Sequence, residues 1–552
     1  MSGLTRRKFV QTTALTPLAL LGAGAKHPAH AQTQERFDFV IAGAGHNSLI
    51  CAAYLAKGGY RVLVLEGRAT IGGGCKTEEI CLTGFKQDLC STTHTLIQSN
   101  PVLRNNELNL RDYGLEYLDP DPVAHIPFLD GASITVWRDL ERTCASIAAL
   151  SAADAKTFRR ITQQRRELIA TPASERARAP DAWFWDRIAG MTGYDAARCL
   201  FESDHLRAAN LAWGRISGAP GSDPGTGMHA LSLVNQVLSG RPTPKGGSGM
   251  LTVALARVLE KNNAVILTSK PVVSLMLEKG RCTGVECSDG SRYRAEKAVI
   301  STIHVKQLVG MAPEALWGDE FLGQVRLLQP EMGMFAFHYA LKEPPRYPLA
   351  KGGTIESCEA ATLNSPERIL RLNYDDARGE VNLDDLPLQI VCESVADPSR
   401  VPPGFATLKI EGVLPYGLKE GPRHWDAIKD QVADSILDYV RRFAPNITTD
   451  KVLAKFLLSP LDIERMNPAM WRGTVHHVDG RFGQVPYRTL AVFLHNFRKS
   501  FNSSADISFP DFINLRTSSP SFNASLSKVA AVLPNLFRSF TAISCATFVA
   551  CA

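Results

Sequence analysis

The sequence lacks the cysteine patterns of redox-active disulfides and metal sites. Its 552 residues include 12 cysteines, yet they form no C-x-x-C, no C-x-x-C-H and no paired spacing typical of zinc ligands. The adjacent His476 and His477 do not replace such a motif, because neighbouring residues on a strand point to opposite faces. The sequence therefore indicates neither a disulfide-based redox mechanism nor a metal centre.

Long apolar runs and strong charge are also missing. No apolar segment reaches the roughly 20 residues that a membrane-spanning helix needs, and a net charge of +6 is mild for a chain of this length. With 45% hydrophobic and 21% charged residues, the composition is typical of globular proteins. We expect no transmembrane span and no nucleic-acid partner, and the length predicts more than one domain.

Glycine is absent from the last part of the chain. The whole sequence contains 42 glycines, but none lies between Leu490 and Ala552. The same stretch holds many of the phenylalanines and has no Glu, Tyr or Trp. Such an abrupt change in composition is typical of a foreign reading frame, an unspliced segment or a rearranged C-terminus.

The stretch Phe37–Gly74 carries the strongest pattern in the chain. A short apolar run breaks at Gly43–Gly45, continues in a helical pattern, and is followed by the apolar run Val62–Leu65. That order of strand, glycine turn, helix and strand is typical of a dinucleotide-binding half. Gly43 provides the tight turn, Gly45 lets backbone approach a pyrophosphate, and the helix N-terminus presents unpaired N–H groups to that anion.

Four further residues complete this motif. Ser48 replaces the third glycine of the pattern, and His46 and Asn47 are expected to shape or cap the start of the helix. Glu66 ends the second strand, where a carboxylate accepts hydrogen bonds from ribose hydroxyls and disfavours a 2′-phosphate. A glycine turn in an unrelated α/β protein is the alternative interpretation, and the ordered context argues against it.

A second glycine cluster follows this acid. Gly67 and Arg68 lead into Gly72, Gly73 and Gly74. The combination resembles the E-x-R-x-x-x-G-G extension of FAD-binding flavoproteins of the glutathione-reductase-like superfamily, which simple NAD dehydrogenases lack. The resemblance implies that the cofactor is FAD.

Further motifs extend the resemblance over about Phe37–Thr489. The chain resembles the phytoene-desaturase-like branch of FAD-dependent oxidoreductases, which includes the animal pyridine-nucleotide-disulfide-oxidoreductase-domain proteins, in V-I-A-G-A-G-H-N-S-L, L-E-G-R-A-T-I-G-G-G, T-G-F-K-Q-D-L, P-K-G-G-S-G-M-L-T-V-A-L and N-P-A-M-W-R-G. The resemblance implies an α/β fold, with a glutathione-reductase-like Rossmann FAD-binding domain interleaved with an α+β substrate domain. It also implies that Val273, near the start of a hairpin strand, contacts the adenine through its backbone. An ordinary buried strand valine is the alternative.

The resemblance and the local patterns divide the chain into segments. The predicted segments are a twin-arginine signal peptide at 1–31, FAD-binding parts at 32–99, 242–301 and 452–489 (the last incomplete), substrate-domain parts at 100–241 and 302–451, and an atypical tail at 490–552. Apolar patterns predict strands at Met332–Leu341, Leu388–Glu393 and Ala406–Leu414, and helices at Ala152–Leu168, Ala182–Phe201 and Ala427–Phe443. Alternation in the first of these strands suits a sheet with one face toward a cavity or a core.

The first residues match a bacterial twin-arginine export signal. Arg6 and Arg7 precede the modestly apolar stretch Ala14–Ala25 and a small-x-small cleavage pattern, Ala29–Ala31. Export of a folded protein suits a flavin that is loaded before transport. We therefore expect a periplasmic protein. A mitochondrial presequence is the alternative, because the first 34 residues contain no Asp or Glu.

The sequence pattern identifies no catalytic residue, and two side chains are candidates for that role. Cys75 follows the second glycine cluster, where a packed thiol is the alternative. His94, in S-T-T-H-T, is the polar candidate for the cavity, with a structural loop histidine as the alternative. Other glycine-rich loops, at 225–227 and 246–249, lack the strand and the acid of a second nucleotide site, so oxygen or a quinone is the expected electron acceptor.

Three functions remain open at this point. The main hypothesis is an FAD-dependent oxidoreductase that dehydrogenates a small, largely apolar molecule, the flavin supplying the difficult step. A flavin amine or alcohol oxidase on the same fold is the second. The third is a non-catalytic FAD-binding protein that acts through interactions. The chain departs from the family pattern after Thr489, where a glycine-rich helix start normally approaches the flavin ring, and this departure supports the third.

Overall fold

The computed structural model describes residues 36–172, 175–179, 181–218, 220–330 and 332–475, together with the backbone of 549–551. Its strands, in chain order, are β1 Arg36–Ala42, β2 Val62–Leu65, β3 Thr77–Glu78, β4 Gln87–Asp88, β5 Tyr117–Leu118, β6 Ala124–Pro127, β7 Ser133–Val136, β8 Thr243–Pro244, β9 Val265–Leu267, β10 Val272–Glu278, β11 Arg281–Cys287, β12 Arg292–Ser301, β13 Met334–Leu341, β14 Tyr347–Pro348, β15 Thr354–Ile355, β16 Glu359–Thr362, β17 Leu388–Val391, β18 Ala406–Val413, β19 Val452–Leu458 and β20 Val549–Cys551.

Helices lie between about half of the consecutive strands. The α-helices are α1 His46–Lys57, α2 Pro101–Arg104, α3 Leu140–Ala148, α4 Ala152–Ala170, α5 Ala182–Gly190, α6 Gly193–Leu200, α7 Asp204–Ile216, α8 Ser232–Ser239, α9 Gly249–Lys261, α10 Val305–Leu308, α11 Glu314–Trp317, α12 Asp319–Leu327, α13 Arg368–Ala377, α14 Glu393–Ala396, α15 Trp425–Arg441 and α16 Pro460–Met466. Short 3-10 helices lie at Leu96–Ser99, Leu110–Tyr113, Arg176–Arg178, Gly227–Leu231, Val309–Met311, Pro398–Arg400, Pro422–His424, Thr449–Lys451 and Trp471–Gly473.

The first large sheet has the strand order β10-β11-β12-β1-β2-β9. The four strands β12, β1, β2 and β9 run parallel, and β10, β11 and β12 form an antiparallel meander. β20 pairs antiparallel with the C-terminal part of β12. The turns after β1 and β2 therefore lie at one carboxyl-terminal edge of the parallel strands, the place where open α/β sheets bind ligands.

Helices cover both faces of this sheet. Phe39 and Ile41 of β1 pack with α1 and α9 on one face, and Val40 and Ala42 pack with the meander and α10–α12 on the other. A parallel sheet that is buried on both faces needs such uninterrupted apolar strands. The predicted α/β Rossmann fold is confirmed.

The second large sheet has the order β19-β13-β18-β17-β16-β6-β7. Phe335, Phe337 and Tyr339 of β13 pack in an apolar core with α15. Met334 and Ala336, which alternate with them, face a cavity. The predicted alternation of β13 is thus confirmed, and both interpretations apply, one to each face. Helices α3–α8 form another apolar cluster with β6 and β7.

Of the three helix predictions, two are confirmed and one is wrong. The prediction at Ala427–Phe443 is confirmed by α15. The prediction at Ala152–Leu168 is confirmed by α4, whose N-cap Ser151 accepts a hydrogen bond from the backbone of Asp154 at 3.1 Å. The single helix predicted over Ala182–Phe201 is wrong, because the chain leaves the helical conformation after α5. Thr192 then caps α6 by accepting a hydrogen bond from the backbone N–H of Asp195 at 2.9 Å.

The predicted limits of the FAD-binding and substrate-domain segments stay predictions. Three stretches, however, pack against elements that were assigned to the other domain. Val102 and Leu110, placed in the substrate segment that starts at 100, pack with α1 and α9. Trp317 and Phe321, placed in the segment 302–451, pack against the first sheet. β19, placed in the third FAD-binding segment, pairs along β13 and extends the second sheet. The sequence pattern did not reveal these partners because they are remote in the chain.

Some predictions concern residues outside the described part. These are the signal peptide at 1–31, the pair His476 and His477, and most of the tail at 490–552. Among the described residues, no helix has the length and apolarity needed to cross a membrane. Within the same residues, no three His, Cys, Asp or Glu side chains gather in a way that holds a metal ion.

Candidate functional site

The glycine turn between β1 and α1 forms one wall of a cavity. Gly43 has φ = +104°, and a Cβ atom there would lie 2.5 Å from Thr302 Oγ1, so both backbone and space exclude a side chain. At Gly45, by contrast, a Cβ would meet nothing closer than Gly73 Cα at 3.8 Å. The missing side chain at Gly45 leaves the first turn of α1 open to the cavity, where its N–H groups can receive an anion.

The second glycine cluster packs directly on this turn. The backbone N–H of Gly72 donates to the carbonyl of Ala44 at 2.8 Å, and Gly45 and Gly72 form a parallel bridge. A Cβ at Gly73 would lie 3.0 Å from Gly45 Cα. The two glycine segments therefore support each other backbone to backbone, which explains why the sequence contains both.

Ser48, at the third position of the motif, is accommodated by a polar partner. Its side chain is fully buried, and its Oγ lies 2.7 Å from Thr302 Oγ1 at the end of β12. A small hydroxyl that is hydrogen-bonded in this way permits the close packing that a glycine normally provides. The departure from the glycine pattern is thus structurally neutral here.

Glu66 links the two glycine segments at the tip of β2. One carboxylate oxygen accepts a hydrogen bond from the backbone N–H of Ala44 at 2.9 Å. The other accepts from the backbone N–H and the Nε of Arg68, both at 3.1 Å. Arg68 also reaches the carbonyl of Gly73 at 3.4 Å. A carboxylate offers about four acceptor sites, and these three hydrogen bonds leave one site free on the oxygen that accepts from Ala44. Glu66 can therefore shape the turn and still accept a ligand hydroxyl.

These residues open on one cavity of about 1290 Å³, which is also lined by the second sheet and by α7 and α8. Of the predicted site residues, those that line it are Gly43, Gly45, His46, Asn47, Ser48, Glu66, Gly67, Arg68, Gly73, Gly74, Cys75 and His94. His46 is the first residue of α1, with Gly45 as the N-cap. Gly72 supports the wall from behind through the bridge described above.

Val273 does not line the cavity wall, although the neighbouring Val272 and Pro271 do. The pairing of β10 with β11 shifts register between Val272 and Ser274, and the Val273 side chain is 48% exposed. The alternative of a buried strand valine is therefore wrong. The backbone contact of Val273 with an adenine stays a prediction.

Cys75 and His46 form a close pair beside the turn. The Sγ of Cys75 lies 3.5 Å from Nδ1 of His46. Burial tends to raise the pKa of the Cys75 thiol, but His46, and to a smaller extent His94, outweigh it and hold that pKa well below its ordinary value. Burial tends to lower the pKa of His46, and Cys75 outweighs it, so that this pKa is raised. The pair thus favours a thiolate and an imidazolium.

His94 lines the cavity, but its ring is held by the protein. Nδ1 lies 2.9 Å from the hydroxyl of Tyr117, and Nε2 lies 2.8 Å from Oγ of Ser248. Both nitrogens are thus engaged by hydroxyl groups, as expected for a positioning or structural histidine. A proton-transfer role for His94, like a reactive role for Cys75, stays a prediction.

The sequence predictions missed the polar side chains on the opposite wall of the cavity. Glu359, Gln389 and Glu411 line it from β16, β17 and β18. The signal was present in β18, where Lys409 and Glu411 stand two apart in the otherwise apolar A-T-L-K-I-E-G-V and so share one face. Because that run was interpreted as an apolar strand, its charged face was overlooked.

The other glycine-rich loops serve packing. A Cβ at Gly247 would lie 2.1 Å from Thr77 Oγ1, and the backbone N–H of Gly249 donates to the same oxygen at 2.9 Å. A Cβ at Gly227 would lie 1.8 Å from the carbonyl of Ile188. These glycines therefore allow close contact between protein segments, in agreement with the interpretation that they do not form a second nucleotide site.

Comparisons with known proteins agree with this geometry. A family model described as an NAD(P)-binding Rossmann-like domain matches residues 41–105. The mouse pyridine nucleotide-disulfide oxidoreductase domain-containing protein 2 is 25% identical over 80% of this chain and 84% of its own length. A limonene dehydrogenase component of Castellaniella defragrans is 24% identical over 80% of this chain and 84% of its own length. A phytoene desaturase of Cereibacter sphaeroides is 24% identical over 74% of this chain and 79% of its own.

Solved structures share the fold. A putrescine oxidase variant superposes with a TM-score of 0.53 at 14% identity, over 80% of this chain and 88% of its own. An oxidoreductase from Methanosarcina mazei superposes with a TM-score of 0.52 at 18% identity, over 77% of this chain and 88% of its own. These structures show the fold alone. The sequence relatives confirm the inferred resemblance to FAD-dependent oxidoreductases of the phytoene-desaturase-like family.

Proposed function

We propose that this relative of the phytoene-desaturase-like oxidoreductases binds FAD in its cavity and dehydrogenates a small, largely apolar molecule there. The main support is the continuity of the cavity, which the glycine turn and Glu66 line at one side and β13 lines at the other. A cofactor held at the edge of the first sheet therefore faces a substrate held against the second sheet.

The residues at the first edge fit the adenine and pyrophosphate half of FAD. The open position at Gly45 and the N-terminus of α1 suit the pyrophosphate. The carboxylate of Glu66 suits the ribose hydroxyls, because it keeps free acceptor capacity after its bonds to Ala44 and Arg68. A 2′-phosphate at this position would meet the negative charge of Glu66, which favours FAD over a 2′-phosphorylated cofactor.

The protein's own contribution to the chemistry is position and exclusion of water. FAD, when bound, would be the acceptor of a hydride from the substrate. Leu89, Met334 and Ala336 present apolar surface to the cavity, which keeps water from a reacting carbon. A hydride that passes to FAD and a proton that is released to solvent, from neighbouring carbons of an apolar substrate, would leave a carbon–carbon double bond.

The proposed electron acceptor is oxygen or a quinone. Gly247 and Gly227 pack closely on Thr77 and on the carbonyl of Ile188, and their loops lack the strand and the acid of a second dinucleotide site. A small diffusible molecule would then take the electrons that bound FAD receives. Stopped-flow mixing of the reduced protein with air-saturated buffer or with a soluble quinone tests this directly.

Anaerobic reduction of the FAD-loaded protein tests the reaction class. A limonene-like molecule, offered both as the hydrocarbon and as an alcohol of the same carbon skeleton, should bleach the flavin absorbance in at least one of the two forms, and a primary amine such as putrescine should not. Bleaching by the amine alone would contradict the proposed dehydrogenation and favour amine oxidation, which is the second hypothesis from the sequence. If the protein is fully loaded with FAD and neither the limonene-like molecule nor the amine bleaches it, the result would favour the non-catalytic FAD-binding protein, the third hypothesis.

We also propose that the protein is exported by the twin-arginine route. The support is the motif at Arg6 and Arg7 with its apolar stretch and cleavage pattern. Replacement of both arginines by lysine should keep the protein in the cytoplasm of a bacterial host that has this pathway, while the unchanged protein reaches the periplasm. Equal fractionation of the two proteins would contradict the proposal.

A further inference from the structure

Three polar side chains cross the second sheet on its cavity side. Glu411 of β18 stands directly opposite Gln389 of β17, and Gln389 donates a hydrogen bond from Nε2 to Glu359 of β16. All three line the cavity, and we refer to Glu359, Gln389 and Glu411 as the polar row. A wall built for a pure hydrocarbon would carry apolar side chains at these positions.

The buried charges around the polar row do not balance. Arg241 binds Glu359 and, at 2.6 Å, Glu393. Lys409 lies 2.8 Å from Glu411. Three carboxylates thus stand against two cationic groups, all five on buried residues. The excess negative charge disfavours a ligand with an anionic group at this wall.

Two helix side chains leave polar atoms without a partner in the same cavity. α7 packs across β16, β17 and β18, and Trp213 on α7 and Gln236 on α8 both line the cavity. The Nε1 of Trp213, a side chain that is only 7% exposed, and the Oε1 of Gln236 have no hydrogen-bond partner among the described residues. Both atoms are closed off from solvent, so a ligand in the cavity reaches them only after a rotation of the side chain. A buried polar atom without a partner costs about 1–3 kcal/mol, which such a contact would recover.

We propose that the substrate carries an uncharged head group with both a hydrogen-bond donor and an acceptor, most simply a hydroxyl. This group binds between the polar row and the side chains of Trp213 and Gln236. The Nε1–H of Trp213 is only a donor and requires an acceptor on the ligand. The Oε1 of Gln236 and the carboxylate of Glu411 require a donor. A hydroxyl meets both needs. An ammonium is attracted by the excess negative charge but leaves the N–H of Trp213 without an acceptor, and a carboxylate is repelled by that charge.

This inference rests on the proposed function and narrows its substrate class. The substrate becomes an apolar molecule with one hydroxyl-bearing end instead of a hydrocarbon throughout. The apolar part lies against Met334 and Ala336, and the hydroxyl end lies toward α7 and α8.

Isothermal titration of the FAD-loaded full-length protein with three ligands of equal chain length tests the inference. 1-Hexanol should bind more tightly than hexylamine, and hexylamine more tightly than hexanoate. Trp213→Phe keeps an aromatic ring and removes the N–H, and should weaken 1-hexanol by roughly 2- to 13-fold, the loss expected for one hydrogen bond. Gln236→Met should weaken it by a similar factor. Trp183→Phe, on an exposed side chain outside the cavity, is the matched control and should leave the affinity unchanged.

Two results would overturn the inference. One is hexanoate or hexylamine binding more tightly than 1-hexanol. The other is an unchanged affinity for 1-hexanol in both cavity variants. The titration needs no turnover and is repeated on protein without FAD. A preference for 1-hexanol in a protein that oxidises nothing would therefore defeat only the proposed function, and turnover without that preference would defeat only the inference.

Discussion

The substitution Glu66→Gln preserves the shape of the side chain after β2 and removes its charge. In the structure one carboxylate oxygen accepts from Ala44 at 2.9 Å, and the other accepts from two N–H groups of Arg68 at 3.1 Å. A glutamine has a single acceptor oxygen, so its NH₂ group must face one of these donors. At least one charge-assisted hydrogen bond is lost, and the pairing with ribose hydroxyls is weakened with it.

The expected size of this effect follows from the bonds that are lost. A hydrogen bond to a charged group contributes about 1.5–3 kcal/mol, so the dissociation constant for FAD should rise roughly 13- to 160-fold. Quenching of flavin fluorescence during titration of the apoprotein measures that constant. Glu296→Gln is a control, because Glu296 is an exposed residue of β12 paired with Arg36 at 3.4 Å. If Glu66→Gln binds FAD as tightly as the unchanged protein, the assignment of Glu66 to the ribose is refuted.

Three other predictions follow from buried groups. Cys75, with its lowered pKa, should be alkylated by iodoacetamide at pH 6, and His46→Gln should slow this reaction, as read by peptide mass spectrometry. Burial, with a smaller effect of the nearby lysine, lowers the pKa of His338 to about 3. Between pH 6.5 and about pH 3 the unfolded chain therefore binds a proton at His338 that the folded chain does not bind. Stability to urea should fall toward pH 3, and His338→Gln should reduce that slope by about 1.4 kcal/mol per pH unit. Arg400→Met should cost about 3–5 kcal/mol in urea unfolding, because it leaves the fully buried Asp88 without its partner at 2.7 Å.

Each of these has a distinct contradicting result. Equal alkylation rates with and without the imidazole would show that His46 does not activate Cys75. An unchanged pH slope in His338→Gln would place the acid sensitivity elsewhere. Arg346→Met serves as the surface control for Arg400→Met, because Arg346 pairs with exposed Glu356 at 3.1 Å. If both variants lose the same free energy of unfolding, breaking the buried Arg400–Asp88 pair costs no more than breaking a surface pair.

The cofactor half of the site was predictable from the sequence because short-range backbone geometry determines it. The positive φ of Gly43 and the close contact of Gly45 with Gly73 need glycine at fixed spacings. Glu66 follows directly from the end of β2. Such constraints act within about forty residues, so the order of the motif alone revealed the turn, the helix and the acid.

The substrate half was not predictable because strand register assembles it. Glu359, Gln389 and Glu411 belong to three strands, and only the pairing of β16, β17 and β18 brings them to one face. Val273 lies where the pairing of β10 with β11 shifts register, and its side chain is exposed while Val272 lines the cavity. A one-residue shift in a strand moves a side chain to the other face, and nothing local in the sequence fixes it.

The central claim is that this cavity holds FAD, and the visible absorption spectrum of the purified full-length protein tests it most directly. After incubation with FAD and removal of free flavin, we expect the spectrum of an oxidised flavin and release of one FAD per chain on denaturation. Glu66→Gln should retain less under the same conditions. A folded protein that stays colourless after reconstitution would contradict the account.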